Sequence, residues 1–186
     1  MKKKILTIAL IVICLAVVAG GTLAAFTAEG IARNVITTGK VGVELVEKHI
    51  DASGAKVDFP KDGVTGVMPG TSVSKIVSVK NTDAESWIRV KVETKITGAD
   101  GKALPTDVVS YDVDTTKWQL KDGYYYYLKP VSTGASTDIL FDEVAFAGSM
   151  GNEYQNCKTE IIISAQAVQT ANNGATVAEA AGWPEA

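Results

Sequence analysis

Soft metal ligands are scarce in this chain: its 186 residues include one histidine and two cysteines. That is too few for a Cys/His zinc site, and two cysteines do not build a disulfide framework. Cationic charge is not in excess either. Eighteen Lys and Arg stand against 21 Asp and Glu, a formal charge of −3, so nucleic acid has no basic patch to meet. No Gly-rich loop leads from a strand into a helix, which removes the phosphate cradle of nucleotide-binding proteins. The end of the chain, from Ala180 to Ala186, has neither a sortase-type motif nor an apolar tail. What is present is ordinary globular material. Hydrophobic residues make up 46% and charged residues 21%, against a disordered chain, and the length fits one domain or one domain with a tail.

The first 25 residues depart from that average. Lys2, Lys3 and Lys4 precede an almost unbroken apolar run over residues 5–19, followed by Gly20-Gly21 and Thr22-Leu23-Ala24-Ala25. A basic start, an apolar stretch and a small-residue exit predict a secretory signal peptide over residues 1–24. Thr22 and Ala24 fill the small positions at −3 and −1, which puts the cut between Ala24 and Ala25. The alternative is a retained anchor, since residues 5–26 at about 1.5 Å each span a bilayer core of about 30 Å. The membrane is then touched only through the uncleaved leader, and either outcome exports the body. Cleavage leaves 15 cations against 21 acids, a formal charge of −6, and one cysteine, Cys157.

From residue 40 onward the dominant period is two. In Trp87 to Ile96, Ile88, Val90, Val92 and Ile96 share one face, while Arg89, Lys91, Glu93 and Lys95 share the other. Such alternation predicts a strand with one wet face. Similar strands are expected over residues 41–45, 73–79 and 158–168, with Lys75 an intruder on an inward face. Shorter candidates lie at 56–59, 108–113, 117–120, 124–128 and 137–146. Asp62-Gly63, Pro69-Gly70, Asp100-Gly101 and Asp122-Gly123 punctuate them as turns. The pattern predicts an all-β, antiparallel sandwich or barrel over residues 40–170, behind an extended segment at 25–39. A tail at 171–186 carries the sole expected helix of the body, at 176–181.

Three stretches carry a family resemblance. Gly20-Gly21-Thr22-Leu23-Ala24-Ala25-Phe26-Thr27 resembles the export junction of proteins processed by the SipW-type signal peptidase. Asn34-Val35-Ile36-Thr37-Thr38-Gly39-Lys40-Val41-Gly42-Val43 resembles the next element of those proteins, with Ile36 where they usually have Phe. Met68-Pro69-Gly70-Thr71 and Val79-Lys80-Asn81-Thr82 resemble their Pro-Gly turn and the strand that follows. The match is to TasA/camelysin-like exported proteins. It is nearest the clostridial biofilm-matrix branch, through the Tyr124–Tyr127 run, Leu140-Phe141 and Ala165-Gln166-Ala167-Val168-Gln169.

The resemblance implies a jelly-roll sandwich, export and signal-peptidase processing. It also implies self-assembly into extracellular fibres of the biofilm matrix, alone or with other matrix components. Residues 25–38 suit a strand donated to a neighbour, with Phe26, Ile31 and Val35 as anchors. No cofactor and no catalysis are expected. The camelysin name raises a metallopeptidase alternative, but a zincin needs H-E-x-x-H, and this chain has His49 alone. A Ser-His-Asp set would also require His49, with no G-x-S-x-G to place a serine. Cys157 shares parity with Ile161 and Ile163, which predicts a buried thiol. Trp87, Tyr125 and Tyr127 are the candidate surface aromatics for a third reading, a glycan-binding module.

Overall fold

The computed structural model describes residues 33–36 and 42–184. The predicted leader, with Thr22, Ala24 and Ala25, lies outside the described residues, as do the proposed anchors Phe26 and Ile31. Among the described residues no helix is long and apolar enough to cross a membrane. The chain is all-β. In order it forms β1 (Arg33–Ile36), β2 (Val43–Ile50), β3 (Lys56–Asp58), β4 (Ser72–Asn81), β5 (Ser86–Thr97) and β6 (Ala103–Leu104). There follow β7 (Val109–Tyr111), β8 (Trp118–Lys121), β9 (Tyr124–Tyr127), β10 (Phe141–Phe146) and β11 (Lys158–Gln169), with one 3₁₀ turn at Asn152–Tyr154.

Two sheets result. One runs β1-β11-β5-β9-β8, with β6 also on β5; the other runs β3-β2-β4-β10-β7. All pairings are antiparallel except β1 with β11. Val77 and Val79 of β4, Ile88 and Val90 of β5, Val144 of β10 and Ile163 of β11 meet in one core, each 1% exposed or less. Two antiparallel sheets facing one core are consistent with a β-sandwich.

The alternation of β5 places Ile88, Val90 and Ile96 inside, as expected, and β11 does the same with Ile161, Ile163, Ala165 and Ala167. The Asp122-Gly123 turn joins β8 to β9, with φ of 50° and 78°. Both central residues are left-handed, the form that matches strand twist in a two-residue hairpin.

The helix expected at 176–181 does not form. A stretch that short gains too few hydrogen bonds to offset nucleation, and Gly182 follows at φ 76°. Residues 170–184 instead lie across the outer face of the first sheet. Val177, 4% exposed, packs there against Trp87 and Val168. The Asn173 side chain ties this segment together, accepting from the backbone N–H of Ala181 and donating to Ala181 O.

Candidate functional site

The strand edge formed by β11 is the candidate assembly site. On one side β11 pairs with β5 along its whole length, from Lys158 opposite Thr97 to Gln169 opposite Ser86. On the other side β1 covers four residues, from Arg33 opposite Ile162 to Ile36 opposite Ala165. Among the described residues, Lys158 to Ile161 and Gln166 to Gln169 have no strand on that side. Such stretches hold backbone donors and acceptors ready for another strand. The β1 pairing is parallel, slightly less stable per residue than antiparallel pairing. So part of the segment expected to be free for donation is a strand of its own subunit. The anchor Val35 stands opposite Ser164, while Ile36 stands opposite Ala165, a core residue.

The surface aromatics need correction. Tyr127 is buried, with its ring 5.0 Å from that of Trp118 and its hydroxyl donating to Asp138 Oδ2 at 2.7 Å. Burial, with Asp138 adding to it, holds this phenol above its ordinary value. Tyr125 packs against the same core. Trp87 is on the outer face but only 5% exposed, because the tail covers it, and its Nε1–H donates to Gly174 O. Tyr124 and Tyr126 are the pair that turns outward, and Arg89 engages both. The guanidinium lies 3.9 Å from the Tyr124 ring, and Nη1 donates to the Tyr126 hydroxyl. Nε donates to Gln166 and Nη2 to Pro184 O, while Trp183 stacks at 4.7 Å. These aromatics brace the tail rather than form an open platform.

His49 lies on β2, with its ring edge-on to Phe59 at 5.8 Å. Among the described residues no group of three or more His, Cys, Asp and Glu side chains is placed to hold a metal ion. Cys157 is buried, as its parity predicts, and burial pushes its thiol up, with the neighbouring Thr159 hydroxyl pulling the other way.

Spacing marked Lys75 as an anomaly but not its partner, and it gave no sign of a second electrostatic feature. Lys75, 2% exposed, points into the core and meets Glu47 of β2 with Nζ 2.5 Å from Oε1. Its ammonium also lies 3.8 Å from the centre of the Phe59 ring. The other is a carboxyl pair at the bulge between Phe141 and Glu143 of β10. The bulge turns two successive N–H groups, of Asp142 and Glu143, onto Asp112 Oδ1 at 3.1 and 2.9 Å. Burial works to raise Asp112, but hydrogen bonds from the Asp142 carboxyl and those N–H groups hold it below the usual carboxylate range. Asp142 is pushed up, first by its hydrogen bond to Asp112, then by burial and the Asp112 charge.

The signs are opposite. The lowered Asp112 stabilises the fold above the ordinary carboxylate value, and this is lost as pH falls through its folded value. The raised Asp142 stabilises at low pH, and this is lost as pH rises through its own. Asp142→Asn is therefore expected to stabilise the protein at neutral pH by less than about 1 kcal/mol, because both groups are exposed. That gain disappears in acid, where Asp142 is already neutral; urea unfolding at the two pH values checks it.

No family model matches the chain, and neither a curated protein nor a solved structure is significantly similar to it.

Proposed function

We propose that this chain is an exported, non-catalytic structural subunit of the biofilm matrix or cell surface, a TasA/camelysin-like jelly roll that polymerises by strand donation. The observation that supports it most is the uneven cover of β11: a fully paired inner side, and an outer side that takes four residues of β1. A strand whose described pairing is four residues long, beside stretches of β11 that no described strand covers, is suited to leave its own sheet and join a neighbour's. Each subunit then gives β1 with its upstream residues and receives another's. That contact is heterologous, so it runs on as a fibre unless a rotation closes it. Signal-peptidase cleavage after Ala24 frees the donor end, which ties assembly to export. The glycan-binding alternative loses its ground, since Trp87, Tyr125 and Tyr127 are turned inward or covered.

Deleting residues 25–35 from the chain that begins at Ala25 is expected to abolish fibres and leave a folded domain. Negative-stain microscopy reads the fibres and circular dichroism the fold. Fibres from the truncated chain would remove strand donation through this segment.

A further inference from the structure

Of the six asparagines in the chain, Asn173 alone is followed by glycine. Packing requires that glycine: a Cβ at Gly174 would lie 2.5 Å from the Glu179 carbonyl carbon and 2.7 Å from its oxygen. A side chain on the following residue ordinarily hinders the approach of its backbone nitrogen to an asparagine amide. At Gly174 that obstacle is missing, and the nitrogen stands 2.9 Å from Asn173 Oδ1.

The Asn173 side chain is fully committed. Oδ1 accepts from the N–H groups of Gly174 and Ala181, and Nδ2 donates to Gln169 O and Ala181 O. These bonds use both donors and both lone pairs of the amide, and they fix which atom is oxygen and which nitrogen. Asn173 is thus a clasp between the end of β11 and the returning tail. The segment it closes lays Val177 on Trp87 and Val168, and its Gly174 carbonyl accepts from Trp87 Nε1–H.

We propose that Asn173 is a site of spontaneous deamidation, and that its conversion unclasps the tail from the outer face of the first sheet. The Gly174 nitrogen, having lost its proton to hydroxide, attacks Cγ of Asn173. The N–Cγ bond forms, the Cγ–Nδ2 bond breaks, and Nδ2 takes a proton from water and leaves as ammonia. The Ala181 N–H on Oδ1 stabilises the charge that develops on that oxygen. A second water opens the cyclic imide at either of its carbonyls, leaving aspartate or isoaspartate. Asn173 is half-buried, so water reaches it. In both products the two donors of Nδ2 are gone. In the aspartate an anionic oxygen faces the carbonyl oxygens of Gln169 and Ala181, so two hydrogen bonds become two repulsive contacts. Nothing in this inference rests on strand donation.

The test ages the full chain in mildly alkaline buffer, with a mildly acidic sample as the control, because the attack needs a deprotonated amide. Peptide mapping is expected to find conversion at Asn173 ahead of Asn34, Asn81, Asn152, Asn156 and Asn172. Tail opening is read by hydrogen exchange at the Trp87 indole N–H. Exchange is expected to speed up roughly 10–100-fold in the aged protein and in Asn173→Asp alike, for the loss of two hydrogen bonds. The backbone amides of Val77 and Val79 report on the core and are expected to keep their protection. An Asn173 still intact after the other asparagines have converted overturns the inference. So does unchanged Trp87 exchange in aged protein that carries the conversion. Exchange rising together at Trp87 and in the core would also overturn it, because the tail would then not open by itself.

Discussion

A subunit carrying Val35→Cys and Ser164→Cys is expected to remain monomeric when oxidised and to polymerise when reduced. Val35 and Ser164 are opposite each other in the β1–β11 register. Adjacent strands run about 4.8 Å apart, inside the Cα separation of about 4.4–6.8 Å that a disulfide tolerates. The bond joins β1 to its own sheet and does nothing else to the edge. If fibres grow by exchange of β1, the oxidised subunit can neither give its strand nor vacate the position for another, so fibre yield falls to nothing. Reducing agent restores it in the same sample, which separates a lock from a folding defect. Cys157 does not confuse the readout, because it is 2% exposed and burial holds its thiol protonated. Fibres of ordinary length from the oxidised subunit would place the growing contact elsewhere. Disulfide closure is read by intact mass, and assembly by sedimentation and microscopy.

That β1 belongs to its own sheet was not visible in residues 33–36, Arg-Asn-Val-Ile, which show no alternation. Their partner is the last strand of the chain, so nothing nearby in sequence marks the pairing. The strands that were legible have one wet face and one dry. In β5 the core residues Ile88, Val90 and Ile96 are separated by charged ones, and composition alone names the inner face. The run Tyr124–Tyr127 offers no such contrast, because all four residues are the same type and either parity is equally good on paper. The hairpin decides it: Trp118 pairs with Tyr127, and one cannot turn inward without the other. Trp87 was misplaced for a different reason. It does sit on the face that carries Arg89 and Lys91, but the tail that covers it arrives from residues 174–183. Alternation reports which residues share a face, not what later lands on that face.

Lys75 is the case where alternation pointed at an anomaly without its resolution, because Glu47 is 28 residues away on the neighbouring strand. Removing Glu47 alone, as Glu47→Leu, is expected to destabilise the protein by about 3–5 kcal/mol, since the ammonium is left buried and unpaired. Glu47→Leu with Lys75→Met is expected to recover all of that loss or exceed it by about 1–4 kcal/mol, because two charges then no longer need desolvation. Urea midpoints at an unchanged m-value measure both. The pair also has a pH signature. Burial holds Lys75 below its ordinary value, with the Glu47 charge and hydrogen bond acting against that shift. Below the folded value both states are protonated and the folded state carries the whole desolvation cost. Between the folded value and the unfolded one the unfolded chain binds the extra proton, so stability from this group rises with pH. The double variant should lack that alkaline rise, and a rise of equal size in both proteins would assign it to another group. Stability regained without the pair would mean that Glu47 and Lys75 are kept for something other than stability. Register is the property they are placed to serve: they lie on adjacent strands of one sheet and turn to the same inner face. A slip of β2 by one residue would send Glu47 to solvent and strand Lys75 inside.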